Sequence, residues 1–176
     1  MDFPPSARRP GTIHAWSTRI STFSFGVQSV DRFSRQIHQA DDIFLITFSS
    51  QPVLRQDFTG DREKLSQALR RIPATGGTAL YDSMAESIAK VRNGRHTKRA
   101  VLVITDGQDT SSASKLNDVL QRIRESELLV YPIGISPLTH AQGSEVSSKR
   151  DEVDFEVLAA FAENSGGRAF LLAESF

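Results

Sequence analysis

The sequence predicts an α/β fold: a doubly wound, mostly parallel sheet of Rossmann-like character, with helices on both faces and one antiparallel strand at its edge. Three observations predict it. Four short apolar runs, at residues 43–48, 100–105, 128–135 and 168–172, lack polar alternation, as strands covered on both faces do. Amphipathic stretches of helical length separate most of them, so the strands must be joined by crossovers and pair in parallel. At one place the alternation breaks: Ser49-Ser-Gln-Pro52 is a turn, and it leads into another strand-like run rather than a helix.

Taken in order, residues 1–25 form an atypical N-terminal segment. Residues 12–16 and 19–25 are β-prone, without the apolar density of the four runs. Residues 26–39 read as an amphipathic helix through Val27, Val30, Phe33 and Ile37. After the strand at 43–48, residues 52–58 read as a short antiparallel strand at the sheet edge, where the missing N–H of Pro52 is tolerated. Residues 64–72 place Leu65, Leu69 and Ile72 on one helical face, and residues 80–91 do the same with Met84, Ile88 and Val91. Beyond the strand at 100–105, residues 115–125 repeat the pattern with Leu116, Val119, Leu120 and Ile123.

In the run at 128–135, Pro132 removes a ladder donor and points to an edge-facing or irregular position. Residues 139–151, rich in Ser, Gly and charge, read as an exposed loop. The last helix, 155–162, is expected to bury Phe155, Leu158 and Phe161 and to stop at Gly166-Gly167 before the final strand. The chain of 176 residues therefore divides into the segment 1–25 and one α/β domain over 26–176.

Composition excludes several classes of function. With 21 basic and 21 acidic residues the net charge is zero, which gives no general pull toward nucleic acid or an anionic membrane. No apolar run approaches the length of a membrane-spanning helix, so membrane insertion is not expected, and residues 1–11 do not read as a signal peptide. Cysteine is absent, which removes disulfides and thiolate chemistry and leaves the compartment unknown. His14, His38, His96 and His140 share no helical face or metal-ligand spacing. The basic residues Arg92, Arg95, Lys98 and Arg99 around Asn93-Gly94 read as an exposed face, and Asp41-Asp42 as solvated.

Ligands of open α/β sheets sit at the carboxyl ends of the strands, and two loops there carry polar groups. In Ile104-Thr-Asp-Gly-Gln-Asp-Thr-Ser-Ser112, Asp106 falls at a strand end and Gly107 lets the chain turn, offering a carboxylate to solvent or to a hard cation; an ordinary Asp-Gly turn would look the same. In Thr75-Gly-Gly-Thr-Ala-Leu-Tyr-Asp82, two glycines and a threonine precede a helix, with Thr78 placed to cap it and Asp82 favourable in its first turn. No lysine completes a Walker loop and no Gly-x-Gly-x-x-Gly follows a strand, so no nucleotide is expected. The Gly-x-Ser-x-Gly elbow of a serine hydrolase is also absent.

Together, Gly76-Gly-Thr-Ala-Leu-Tyr-Asp82 and Ala100-Val-Leu-Val-Ile-Thr-Asp-Gly-Gln-Asp109 resemble the von Willebrand factor A family, most of all its bacterial branch. The resemblance runs from about Gly26 to Leu172, and includes Asp41-Asp-Ile-Phe-Leu-Ile-Thr-Phe48 and Ser165-Gly-Gly-Arg-Ala-Phe170. It implies a protein-binding domain rather than an enzyme, found in the family within larger and often exported proteins. It also implies a metal-ion-dependent adhesion site, in which Mg²⁺ or another divalent cation is held by an Asp-x-Ser-x-Ser cluster after the first strand, a threonine and an aspartate. Thr78 and Asp106 match the last two. Gly76, Gly77, Asp82, Gly107 and Asp109 would shape the surrounding loops. A vacant coordination position would accept an acidic residue of a protein partner.

The sequence departs from that pattern. No acid stands between Asp2 and Asp31, and Ser17, Ser21 and Ser24 lack an aspartate at the required spacing, so the Asp-x-Ser-x-Ser cluster is missing. Either residues 12–25 supply a substitute first strand, or the N-terminus is foreign to the domain; at the other end, the final helix usual in the family is not seen before Phe176. Three functions stay open: a metal-assisted protein-binding domain with a replacement acid such as Asp109, a metal-independent interaction module or domain fragment, and a small α/β phosphoester-processing enzyme.

Overall fold

The structure is a computed structural model that describes residues 11–17 as backbone and residues 31, 36, 38, 40–72, 77–135 and 153–172 in full. Its strands are β1 (Gly11–Ser17), β2 (Ile43–Phe48), β3 (Pro52–Thr59), β4 (Arg99–Thr105), β5 (Leu129–Ile135) and β6 (Phe170–Leu172). They form one six-stranded sheet in the order β3-β2-β1-β4-β5-β6. Every neighbouring pair is parallel except β2 with β3, which run antiparallel at the edge. Among the described residues the helices are α1 (Arg62–Arg70), α2 (Leu80–Arg92), α3 (Leu116–Arg124) and α4 (Phe155–Ser165).

Three of the four apolar runs occupy inner strands, as their composition requires; the fourth, expected at 168–172 to be covered on both faces, is instead the edge strand β6, whose Phe170, Leu171 and Leu172 are all exposed. All six side chains of β2 are buried, and they alternate between two cores. Phe44, Ile46 and Phe48 join Val101, Val103 and Val130 under α2, α3 and α4, through Leu80, Met84, Val119 and Phe161. Ile43 and Leu45 join Ile104 and Ile135 on the opposite face, which α1 covers with Leu65 and Leu69. Helices therefore lie on both faces. Each large side chain taken wholly out of water contributes roughly 1.5–3 kcal/mol, so Phe44 and Phe161, both fully buried, are among the principal anchors.

The centre of the sheet is the strand with the weakest sequence signal. His14 of β1 lies in register with Leu45 on one side and Leu102 on the other. Pairing along both edges supplies what apolar density does not. Residues 19–25, the loop 139–151 and most of the helix expected at 26–39 lie outside the described residues; of the last, Asp31 is helical, Gln36 is in a turn and His38 is outside a helix.

Three local expectations are corrected. Pro132 lies in an inner strand, opposite Val103 of β4, but β6 joins β5 only from Ile133 onward, so no ladder is broken on that side. Phe155 is 42% exposed: it is the first residue of α4, and the buried stripe of that helix is Val157, Leu158, Phe161 and Ala162. Asp41 is buried, and Asp42 is bridged by the guanidinium of Arg95 (Nη2 to Oδ1 2.9 Å), with His96 Nε2 at 3.3 Å. Two caps hold α4 in place. Asp154 Oδ1 accepts the Val157 N–H, and Gly166, at φ 76°, turns the chain out in the left-handed region that glycine enters without strain.

Candidate functional site

Because β1, β2, β4, β5 and β6 run the same way, their carboxyl ends share one edge, and there the two loops singled out from the sequence meet. Thr78 is buried between the ends of β2 and β4. Its N–H donates to Thr110 Oγ1 (2.9 Å) and its carbonyl accepts from the N–H groups of Thr110 and Ser111 (2.8 and 3.2 Å). The next residue, Ala79, donates to the Ser49 carbonyl at the end of β2 (2.6 Å). Gly77 packs closely against the loop after β4: a Cβ there would lie 2.3 Å from Ser111 Oγ, so that hydroxyl would have to turn aside. Gly76 lies outside the described residues.

Thr78 does not cap α2, contrary to the sequence expectation. Ala79 is the N-cap residue and offers no side-chain acceptor. The free N–H groups of the first turn are satisfied from the loop after β4: Tyr81 N–H donates to Asp109 Oδ1 (3.1 Å) and Asp82 N–H to Ser112 Oγ (3.1 Å). The Asp82 carboxylate reaches back, accepting the N–H groups of Ala113 and Ser114 at 2.9 Å each. Hydrogen bonding from the Ser114 side chain is the largest influence holding the Asp82 carboxyl below the ordinary aspartate value; burial, next in size, opposes it, and the N–H groups of Ala113 and Ser114 lower it further.

Asp106 stands at the end of β4, half-buried, where its Oδ1 accepts the Gln108 N–H (3.1 Å) and its carbonyl accepts the Asp154 N–H (2.8 Å). Gly107, at φ 83°, makes that last contact feasible: a Cβ would lie 2.4 Å from the Asp154 carbonyl oxygen. Both carboxylate oxygens of Asp109 are engaged by its surroundings. Oδ1 accepts Tyr81 N–H and Ser112 Oγ–H (2.6 Å), and Oδ2 accepts Ser112 N–H (3.3 Å).

The structure thus brings Gly77, Thr78, Asp82, Asp106, Gly107 and Asp109 to one edge. Sequence reasoning missed Thr110, Ser112 and Ser114, which carry most of the cross-loop bonds; they read as ordinary polar turn residues. Asp154 was legible as an acid directly before a helix, but its link to Asp106 spans too much chain to be read from spacing.

A hard divalent cation needs about six oxygen ligands, with enough carboxylate to displace water. The donors present fit it poorly. Asp109 is occupied as a cap, β1 ends at Ser17 with no acid, and Thr78 and Asp106 supply one hydroxyl and one carboxylate. No group of three or more His, Asp or Glu side chains among the described residues is arranged to hold a metal ion.

A twisted parallel sheet with an antiparallel edge and a threonine–aspartate pair at its carboxyl edge defines a class of α/β ligand-binding domains. Residues 16–108, more than half of the chain, match the family model described as von Willebrand factor type A domain, and the chain belongs to that family. Domains of this family are in general adhesion and protein-interaction modules rather than enzymes. Among solved structures, the chain is similar to conserved hypothetical protein BatB from Bacteroides thetaiotaomicron, at 14% identity and a TM-score of 0.72 over 95% of this chain and 92% of that one. It is similar to a von Willebrand factor type A protein from Catenulispora acidiphila, at 14% identity and a TM-score of 0.77 over 96% of this chain and 40% of the other. A third is proximal thread matrix protein 1 of the mussel byssus, with a zinc-occupied MIDAS motif, at 11% identity and a TM-score of 0.72 over 91% and 40%. At these identities the likeness shows the fold.

Proposed function

We propose that this chain is a protein-interaction domain whose carboxyl edge engages its partner without a resident divalent cation. The observation that carries this reading is the engagement of Asp109. Asp109, the acid the sequence offers as a replacement for the missing cluster, already accepts three hydrogen bonds that cap α2 and close the loop. Releasing it to a metal would uncap the helix, so metal binding would work against folding at this site.

The second reading is a working adhesion site, in which a cation on Thr78 and Asp106 accepts an acidic residue of the partner. The zinc-occupied motif of the mussel protein favours it, as does the placement of both residues at one edge.

Thermal unfolding separates the two, because an ion that binds only the folded state raises the midpoint by mass action. The expected result is the same midpoint in chelator and in millimolar Mg²⁺, Mn²⁺ or Zn²⁺. A rise of several degrees that Asp106→Ala abolishes would overturn the proposal in favour of the adhesion site.

A further inference from the structure

Beside the Asp106 loop an open cleft of about 670 Å³ lies between the loop after β4 and the start of α4. Its described lining includes the carboxylate-bearing residues Asp109, Asp154 and Glu156 and the aromatic residues Tyr81 and Phe155, with no lysine or arginine among the described lining residues. The volume is that of a site for a whole side chain and its neighbours rather than a crevice between packed atoms. Two further observations bear on what it takes. Burial, with the charges of Asp109 and Asp154, raises the Tyr81 phenol above its ordinary value, so the negative field extends to the aromatic wall. Phe155 leaves 42% of its surface in solvent at the rim of the cleft, although the helix it begins has a buried stripe available.

We infer that this cleft receives an arginine-bearing segment of the protein partner. A guanidinium is planar and weakly hydrated; it can lie against an aromatic ring while its N–H groups donate to carboxylates. Lysine, a compact and strongly hydrated point charge, gains less from the aromatic walls. An acidic segment would meet three carboxylates with no base among the described lining residues to offset them. This inference rests on the proposed cation-free edge, because a divalent ion at Asp106 would repel a guanidinium in the neighbouring cleft.

The test titrates the whole chain, in chelator, with acetyl-tetra-arginine amide, and with the tetra-lysine and tetra-glutamate peptides for comparison, following amide resonances and heat. Saturable binding of the arginine peptide, tighter than tetra-lysine and with tetra-glutamate inert, is expected. Glu156→Lys should weaken it about tenfold. Glu163→Lys, the same charge change at an exposed site near the far end of α4, should leave it nearly unchanged. Phe155→Ala, also at an exposed position, should weaken it severalfold. No saturable binding, or equal weakening by Glu156→Lys and Glu163→Lys, would overturn the inference. Since chelator is present throughout, that failure is distinct from a metal-raised unfolding midpoint, which would sink the cation-free reading itself.

Discussion

The backbone N–H of Tyr81 donates to Asp109 Oδ1 at 3.1 Å, so the helix that starts at Leu80 is capped by a carboxylate 28 residues further along the chain. A cap of this kind joins two elements that a local cap would leave independent. Asp109→Ala removes the acceptor for Tyr81 N–H and for the Ser112 backbone and hydroxyl, and should cost about 1–2 kcal/mol in urea unfolding. Asp109→Asn, which keeps one acceptor oxygen, should lose less. An alanine variant as stable as the parent would show that the cap contributes nothing.

Asp82 makes the reciprocal contact, and it gives the fold a signature in acid. Its carboxyl is held below the ordinary value in the folded chain, so it stabilises the fold above the unfolded aspartate pKa, about 4, and loses that contribution as the pH falls through the lower folded value. Asp57, lowered by its hydrogen bond with Lys90, acts in the same direction. Unfolding midpoints measured from pH 6 down to pH 3 should fall less steeply for Asp82→Asn than for the parent. Parallel curves would show that Asp82 does not titrate differently in the two states.

Much of this arrangement was legible before the structure, for a physical reason. Runs such as residues 43–48 are apolar on both faces because both faces are covered, and the Gly-Gly-Thr and Asp-Gly loops sit where a parallel sheet exposes its carboxyl edge. What escaped was set by partners distant in sequence. Residues 11–17 are central because β2 and β4 both pair with them, not because of their own composition. Thr78 has the chemistry of a helix cap, yet Thr110 and Ser111 engage its peptide group and Asp109 does the capping. Phe155 fits an apolar helical period, but at the first turn it faces the cleft instead of the core.

Gly107 is the point at which backbone geometry and the link between the β4 loop and α4 coincide. With φ at 83° and a Cβ position 2.4 Å from the Asp154 carbonyl oxygen, any side chain there both strains the backbone and pushes Asp154 away. Gly107→Ala should therefore cost about 2 kcal/mol or more, above the usual cost of a glycine replacement at an unstrained site. Hydrogen exchange should also quicken at the first turn of α4, whose N-cap is Asp154. A loss of stability without that local change would mean that the Asp106–Asp154 contact does not hold the helix start.

The metal question can be turned into a gain of function. In the family's pattern an Asp-x-Ser-x-Ser cluster comes after the first strand; here β1 closes on Ser17, and the sequence continues Ser17-Thr-Arg-Ile-Ser21. Two substitutions, Ser17→Asp and Arg19→Ser, complete the pattern, because Ser21 already stands at its last position. They add a carboxylate and a hydroxyl and remove a positive charge that opposes a cation. If the parent fails to bind metal for want of these donors, the double variant should show a midpoint that rises with Mg²⁺ or Mn²⁺, by the equivalent of about 2.7 kcal/mol when the ion reaches a hundred times its dissociation constant. Adding Asp106→Ala should remove the rise. A double variant that folds but stays indifferent to metal would place the obstacle elsewhere, in the commitment of the Thr78 and Asp109 loops to each other.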